Sequence, residues 1–420
     1  MLVSFASAQA PVLQDGATAL RQARLDWTLG QEPLGPSSMP SFEVGWGGAG
    51  SEGVYTPLTE GEGAGHGTQG WGLGMQGRYV AAGWSFSATV LGLRDHGRTV
   101  GILQRAAIGY QTESGWRAAL EQAPLAWGSG LNGGDLLGDA SRAFPRLSLS
   151  TPEAALPLGR WRLEAFAGKL EEERAIPDWI ADRPARVSAK VAGLDLQRPT
   201  LLGGLVRASF GTLVEASIGT IRLAGGRDAQ GRPAPSSAVR TASLAELRLR
   251  LPALATYVHA RSASVYVSGS AAPDGSAMTL AHGRELGGLQ LVWDSWDLGL
   301  EYAGAAPRGA AASFLGPTYL AGFSTQGDPL GSAFGGAGIT RTVELGLPLF
   351  LEGRGRLKLV RAAAPLEDPS GAGSWFLQGD AQWRTPTGKA GASLASRRDV
   401  MLASARWGWA FSVFQSFRVF

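Results

Sequence analysis

Hydrophobic and polar residues alternate along most of this chain, as in the stretch LQLVWDSWDLGLEYAG from Leu289 to Gly304. Successive side chains of a β-strand point to opposite faces, so one face here is apolar and aromatic while the other is acidic. The phase resets at Asp294-Ser295, which predicts a tight hairpin turn between two strands. The same pattern suits a soluble sandwich, with the apolar face inside, and a membrane barrel, with that face on lipid.

The alternation recurs along the whole chain, and its dimensions favour the membrane barrel. It is found in the ranges 23–29, 79–90, 116–121, 161–166, 244–251, 375–384 and 401–413. The apolar segments run about 9–12 residues, the length of a tilted strand that crosses a bilayer, whereas soluble strands average about 5–6. Tryptophans such as Trp116, Trp375 and Trp383 stand at the ends of apolar stripes, as in the aromatic girdles of membrane barrels.

The connections between the predicted strands are of two kinds. Short turns such as Thr112–Gly115 join some pairs of strands. Longer stretches rich in Gly, Pro and Ser separate others, in the ranges 47–70, 126–140, 225–237, 305–317 and 366–373. An outer-membrane barrel has short turns at one end and long loops at the other. We therefore predict an all-β fold, a closed antiparallel transmembrane β-barrel of roughly 16–18 strands.

Composition narrows the classes of function. The 420 residues are 44% hydrophobic, yet no run approaches the roughly 18–20 apolar residues of a transmembrane helix. The 61 glycines suit close-packed strands, and the 14 tryptophans suit interfacial girdles. Cysteine is absent, which excludes disulfides, thiolate metal sites and cysteine nucleophiles. The charges are scattered without a basic tract, so nucleic acid is not expected as a partner.

Both ends of the chain carry features of exported proteins. Residues 1–10 contain two small-residue triplets, ASA and AQA, that resemble signal-peptidase sites. We interpret residues 1–10 as the remainder of an export signal, the alternative being an ordinary flexible terminus. Residues 11–420 are then a single outer-membrane barrel, and the final residue, Phe420, is aromatic like the last residue of many exported barrels.

Motifs for catalysis or cofactor binding are weak. Gly72–Gly77 matches GxGxxG, but the strand-like stretch Tyr79–Leu91 follows it instead of the helix that a dinucleotide site requires. The four histidines lie far apart without ligand spacing. Asp294, Asp297 and Glu301 are spaced like the acids of a glycoside hydrolase, yet pairing with arginines in a polar lumen is the simpler role. We expect no enzyme activity, no cofactor and no metal.

The most unusual segment is WGSGLNGGDLLGDASRAFPRLSLSTP, from Trp127 to Pro152. One interpretation is a long loop that leads into a strand. The other is a loop folded into the lumen that holds a sugar, because aromatic faces and planar polar groups recognise pyranose rings and their hydroxyls. The candidate polysaccharide-binding residues are Trp127, Asn132, Asp135, Asp139 and Arg142.

The same segment and two others resemble the Wzi family of capsule-assembly outer-membrane proteins. The shared features are a Trp-Gly-x-Gly turn at Trp127 with an Ala-Arg-Pro-like stretch before a strand, GLQLVWDSWDLGLEYAG from Gly288, and YLAGFSTQGDPLGSAFGGAG from Tyr319. The three motifs occur in the same order as in the family, and the resemblance covers roughly residues 101–420. It implies a closed barrel of about 18 strands and a lectin-like role in holding surface polysaccharide. Family members carry an N-terminal helical bundle, whereas Ala19–Gly30 alternates here as a strand.

These observations lead to a non-catalytic outer-membrane barrel that binds or anchors capsular-type polysaccharide. The expected partners are surface polysaccharide, outer-membrane lipid and other envelope proteins. The alternatives are a porin, which a conducting lumen would reveal, and a structural component of an envelope or surface-layer complex, which co-purification would reveal. In the opening stretch, the residues expected to face lipid are Trp293, Trp296, Leu298 and Leu300. The acids expected to line the lumen or its rim are Asp294, Asp297 and Glu301.

Overall fold

The chain folds almost entirely into antiparallel β-sheet, as seen in a computed structural model. The structure describes residues 41–52, 70–81, 83–95, 98–123, 125, 127–131, 136–137, 144–170, 196–228, 230–235, 239–271, 284–305, 324–325, 328–329, 339–351, 353–363, 373–385, 388–399 and 406–418. The proposed export signal and the Ala19–Gly30 strand lie outside these ranges.

The strands are long, and most have the length predicted for a membrane barrel. The first eleven are β1 (Ser41–Glu52), β2 (Gly70–Ala81), β3 (Trp84–Asp95), β4 (Arg98–Gln111), β5 (Arg117–Ala123), β6 (Phe144–Ser150), β7 (Ala154–Leu156), β8 (Gly159–Lys169), β9 (Thr200–Phe210), β10 (Val214–Ala224) and β11 (Arg240–Arg250). A short helix, α1 (Pro252–Tyr257), follows. The remaining strands are β12 (Ser262–Ala271), β13 (Arg284–Val292), β14 (Asp297–Ala305), β15 (Ser324–Thr325), β16 (Asp328–Pro329), β17 (Ile339–Pro348), β18 (Arg354–Ala363), β19 (Gly373–Thr385), β20 (Gly388–Asp399) and β21 (Arg406–Arg418).

Strands that follow one another along the chain pair with one another. Within the described residues, 19 strands form one sheet, and β15 and β16 form a separate hairpin. Both β6 and β7 pair with β8, and β14 pairs with β17. The last strand pairs antiparallel with the first, in a ladder from Glu43↔Arg418 to Glu52↔Trp409. The first and last strands of the described chain are therefore neighbours in the sheet.

The two ends of the sheet differ in the length of their connections, as the sequence predicted. At the short-turn end, the connections include 112–116, 211–213, 293–296 and 349–353. At the long-loop end, they include 53–69, 124–143, 170–199 and 306–338. The hairpin predicted at Asp294-Ser295 is present, because the amide of Trp293 donates to the carbonyl of Trp296 at 2.9 Å. The GxGxxG stretch Gly72–Gly77 lies inside β2.

The face of the sheet that is exposed is apolar, and the face that is buried is polar. In β5, Leu120 is 62% exposed and its neighbour Glu121 only 5%. In β18, Leu357 is 46% exposed and Lys358 0%. Soluble proteins bury apolar side chains and almost never fully bury lysine or glutamate. We call the apolar, exposed side of the sheet the outer face, and the buried side that carries the charged residues the inner face.

A short helix covers part of the outer face at the short-turn end. Ala255 of α1 is buried in one apolar cluster with Leu291, and Leu298 and Trp293 pack against this cluster. Leu298 and Trp293, both predicted to face lipid, are therefore partly covered by the connection between β11 and β12. Trp293 also stacks on Trp296, with ring centroids 3.7 Å apart. In the described part of the chain, no helix is long and apolar enough to span a membrane.

Leu300 remains on the outer face, 37% exposed, in the middle of β14. Replacing Leu300 by arginine is expected to lower the free energy of unfolding in lipid vesicles by about 2–4 kcal/mol, because a charge near the bilayer midplane is costly. The Leu300→Ala variant is the matched control, since it removes the same side chain without adding a charge. Denaturant titration followed by tryptophan fluorescence measures both. Equal losses in the two variants would argue against lipid at this face.

Candidate functional site

The described residues of the connection between β5 and β6 pack on the inner face of the sheet. We call residues 127–137 the inner segment, of which 127–131 and 136–137 are described. The amide of Trp127 donates to the carbonyl of Leu137 at 2.9 Å, so the segment turns back on itself. Trp127, Leu131, Leu136 and Leu137 are each 1% exposed. The inner segment is therefore packed inside the sheet.

Trp127 anchors the inner segment in an apolar cluster of the inner face. Its ring meets Phe166 edge to face, with centroids 5.4 Å apart. Glycines on neighbouring strands make room for the ring: a Cβ atom on Gly203 would lie 2.8 Å from it, and one on Gly219 would lie 3.4 Å from it. The cluster also contains Leu136, Leu137, Phe144, Leu170, Leu196, Leu201, Leu205, Ile221, Leu223, Ala242 and Leu244. The Trp127 ring is thus packed against protein, and its predicted contact with a sugar stays a prediction.

Gly203 and Gly204 are adjacent in β9 but face opposite ways, which makes a matched pair of variants. A Cβ on Gly203 would meet the rings of Phe166 and Trp127, whereas a Cβ on Gly204 would meet nothing within 4 Å. We expect Gly203→Val to lower the free energy of unfolding by about 1–3 kcal/mol through overpacking. Gly204→Val is expected to be neutral or stabilising, because valine suits a strand. Denaturant unfolding of both variants checks this, and the reverse ranking would mean that the inner segment packs elsewhere.

Charged side chains of the inner face hold the inner segment at Leu131. The amide of Leu131 donates to Glu301 Oε2 at 2.5 Å, and Lys358 Nζ donates to the carbonyl of Leu131 at 2.5 Å. The hydroxyl of Tyr266 donates to the same oxygen of Glu301 at 2.9 Å. Both backbone groups of Leu131 are thus satisfied by side chains from β14 and β18. The segment spans the inner face from the Trp127 cluster to these strands.

Ser129 ties the inner segment to a third part of the sheet. Its hydroxyl donates to Glu246 Oε1 at 2.5 Å and accepts a hydrogen bond from Arg248 Nε. Arg248 also lies 3.4 Å from Glu215 on β10. Because charged partners make stronger hydrogen bonds than neutral ones, these contacts hold Ser129 more firmly than neutral partners would.

The other buried charges of the inner face pair with one another along neighbouring strands. Glu121 lies 3.0 Å from Arg146 and 3.3 Å from Arg117. Lys358 lies 3.4 Å from Glu344. Pairing of this kind offsets part of the cost of burying charge. These paired side chains give the inner face a fixed polar lining.

The remaining sequence-predicted site residues fall into three groups. Asn132, Asp135, Asp139 and Arg142 lie outside the described residues. Asp297 and Glu301 are buried on the inner face, 8% and 5% exposed. Asp294 is exposed in the turn 293–296 at the short-turn end, so of its two predicted places, the lumen wall and the rim, it is the rim that stays a prediction.

Sequence reasoning missed the side chains that grip the inner segment. They are Glu246 and Arg248, which contact Ser129, Lys358, which contacts Leu131, and Tyr266, which contacts Glu301. A signal was present at Lys358, because a lysine between Leu357 and Leu359 is an unusual choice in a chain so rich in arginine. Nothing in the local pattern indicated its partner, Leu131, which lies far away in the sequence.

Comparison with known proteins shows a shared fold. No protein-family model and no curated protein matches the chain. Among solved structures, it resembles Wzi of Escherichia coli, described as an outer-membrane protein involved in group 1 capsule assembly and a carbohydrate-binding β-barrel. The TM-score is 0.64 at 18% identity, over 95% of this chain and 87% of that one. Pseudomonas aeruginosa OpdQ (TM-score 0.53, 12% identity, 91% of this chain and 98% of that one) and OpdL (0.51, 12%, 91% and 100%) are also similar. At these identities the likeness shows the fold, that of outer-membrane β-barrels.

Proposed function

We propose that this protein is a closed outer-membrane β-barrel that binds surface polysaccharide without catalysing a reaction. The observation that carries the membrane placement is the apolar outer face around a buried polar inner face. The pairing of β21 with β1 supports closure. Because β6 and β7 run along the same side of β8, they count as one strand, which gives a barrel of about 18 strands.

The inner segment supports polysaccharide binding over free passage of solutes. It crosses the inner face and is fixed at Trp127, Ser129 and Leu131, so it narrows the lumen. The connection between β5 and β6, to which the inner segment belongs, supplies amide, carboxylate and guanidinium groups of the kind that recognise sugar hydroxyls. The structure that this chain resembles in fold, Wzi, is itself described as carbohydrate binding. We assign the sugar contacts to Asn132, Asp135, Asp139 and Arg142.

A binding role also suits the state of the buried acids. Glu121 is engaged by Arg146, Glu344 by Lys358, and Glu246 by Arg248. A general acid or base works best with a pKa near the working pH and with room for substrate beside it. Carboxylates held by cations inside the sheet are poorly suited to that task and well suited to lining.

Retention of polysaccharide by whole cells tests the proposed function. We expect Asp139→Ala and Arg142→Ala to release surface polysaccharide, because each removes a charged hydrogen-bonding group from the connection between β5 and β6. Asp294→Ala is the matched control, since it removes an exposed carboxylate at the short-turn end. A heat-modifiable band in electrophoresis shows that each variant still folds. Unchanged retention in both folded variants would refute this assignment.

A solute channel is the second candidate, and the polar inner face favours it. Conductance of the unaltered protein in planar bilayers separates the two functions. Steady conductance together with unchanged polysaccharide retention in the Asp139 and Arg142 variants would establish the channel in place of the binding protein. Purification from native membranes, with identification of the glycans and proteins that accompany it, tests membership of an envelope complex.

A further inference from the structure

A basic pocket of about 560 Å³ lies at the long-loop end of β8, β9 and β10. Its lining includes Lys169, Gln197, Arg198, Thr200, Arg227 and Asp228. Backbone hydrogen bonds between Gln197 and Arg227, at 2.7 and 2.9 Å, join the two loops that form it. The pocket is therefore built from strand ends and paired backbone, and its size is in the range of small-ligand sites.

The charges of this pocket are predominantly positive. Its acid, Asp228, is engaged within its own loop: it accepts hydrogen bonds from Arg232 Nε at 2.7 Å and from the amide of Arg232 at 2.8 Å. Desolvation raises the pKa of Asp228, but these hydrogen bonds outweigh it and hold the pKa below its usual value. Lys169 and Arg227 make no ion pair within the described part of the chain. Their charge is available to an anion.

The position of the pocket points to the membrane surface. Lys169 follows the alternation of β8 outward, because its neighbour Gly168 is buried against Phe144 on the inner face. Along β9, Thr200 lines the pocket and the exposed Leu202 comes next on the outer face. The basic residues therefore lie where the apolar band of the outer face meets the long-loop end. In a membrane, this is the depth of the lipid headgroups.

We propose that Lys169 and Arg227 bind the phosphate group of an outer-leaflet lipid headgroup in this pocket. The inference rests on the membrane placement proposed above and is independent of polysaccharide binding. An ammonium and a guanidinium give charge-assisted hydrogen bonds to phosphate oxygens, and the Thr200 hydroxyl adds a neutral donor. The rest of the pocket has room for the headgroup atoms next to the phosphate.

Lipid binding to the purified full-length protein in detergent tests this proposal. Native mass spectrometry measures the affinity for phosphatidic acid and, as the reference lipid, for phosphatidylcholine. We expect preference for phosphatidic acid in the unaltered protein and a loss of about tenfold in each of Lys169→Gln and Arg227→Gln, as for loss of a charged hydrogen bond. The control is Arg354→Gln, which removes an exposed arginine at the short-turn end and is expected to change nothing.

Three results would overturn the proposal. The first is equal phosphatidic acid affinity in all variants. The second is inorganic phosphate binding as tightly as phosphatidic acid, which indicates a site for free phosphate. The third is that polygalacturonate, an acidic polysaccharide, displaces the lipid and that the Lys169→Gln/Arg227→Gln variant loses surface polysaccharide. This result would assign the pocket to polysaccharide. Failure of the polysaccharide function is distinct, because it appears as unchanged retention in the Asp139 and Arg142 variants while lipid binding persists.

Discussion

Replacing Lys358 by methionine is expected to lower the free energy of unfolding by up to about 3–5 kcal/mol, because it breaks a buried ion pair and leaves the Glu344 carboxylate with Arg356, at 3.8 Å, as its remaining cation. Lys358 is 0% exposed, lies 3.4 Å from Glu344, and donates to the carbonyl of Leu131 at 2.5 Å. Methionine preserves most of the side-chain length, so lost packing is small. Denaturant unfolding in vesicles measures the change, and conductance in planar bilayers reports whether the released inner segment opens the lumen.

The double variant Glu344→Gln/Lys358→Met separates charge from packing. Removing both charges leaves no buried carboxylate without its cation, so the double variant is expected to regain much of the stability lost by Lys358→Met. A double variant whose loss equals the two single losses added together would show that Glu344 and Lys358 are not coupled. The bracing of the inner segment would then have to come from Glu301 and Ser129.

Replacing Trp127 by alanine is expected to cost about 3–5 kcal/mol of stability and to weaken polysaccharide retention. The ring is 1% exposed among Phe166, Leu201 and their neighbours, so its removal leaves a cavity where the inner segment is anchored. The matched control is Trp375→Ala, because Trp375 is 45% exposed on the outer face. Denaturant unfolding is expected to show a much smaller loss for the control.

The two readouts of Trp127→Ala distinguish its possible roles. If Trp127 positions the inner segment, stability and retention fall together, and Trp127→Phe, which refills part of the cavity, restores part of both. If retention falls while the unfolding free energy is unchanged, the ring contacts the sugar itself and the packing role is contradicted.

The strands and their two faces could be predicted from the sequence, because the alternation of apolar and polar residues within one strand shows which side chains share a face. In β5 the neighbours Leu120 and Glu121 differ in polarity, and the structure exposes the first and buries the second. Leu300 and Glu301 behave in the same way in β14. The hairpin between Val292 and Asp297 was also predictable, because the alternation loses its phase there.

The segments that pack over those two faces could not be predicted, because they are distant in sequence from the strands that they cover. Leu298 alternates as an outward residue should, yet α1 packs over it. Trp127 looked suited to a sugar, but Gly203 and Gly219 on other strands leave a space that its ring fills. Leu244 points to the same face of β11 as Glu246 and Arg248, which suggested a polar environment. It lies instead in the apolar cluster that contains Trp127. Periodicity gives the direction of a side chain and not its partner.

The pairing of β21 with β1 has a consequence for how the protein is made. Most neighbouring strands are local hairpins with low contact order, which form quickly. The seam between β1 and β21 instead joins strands from opposite ends of the described chain, so its loop-closure entropy is the largest in the sheet. Until β21 arrives, β1 carries an unpaired edge that invites aggregation. Completion of the sheet must therefore wait until β21 is available, and the free edge of β1 must be shielded in the meantime.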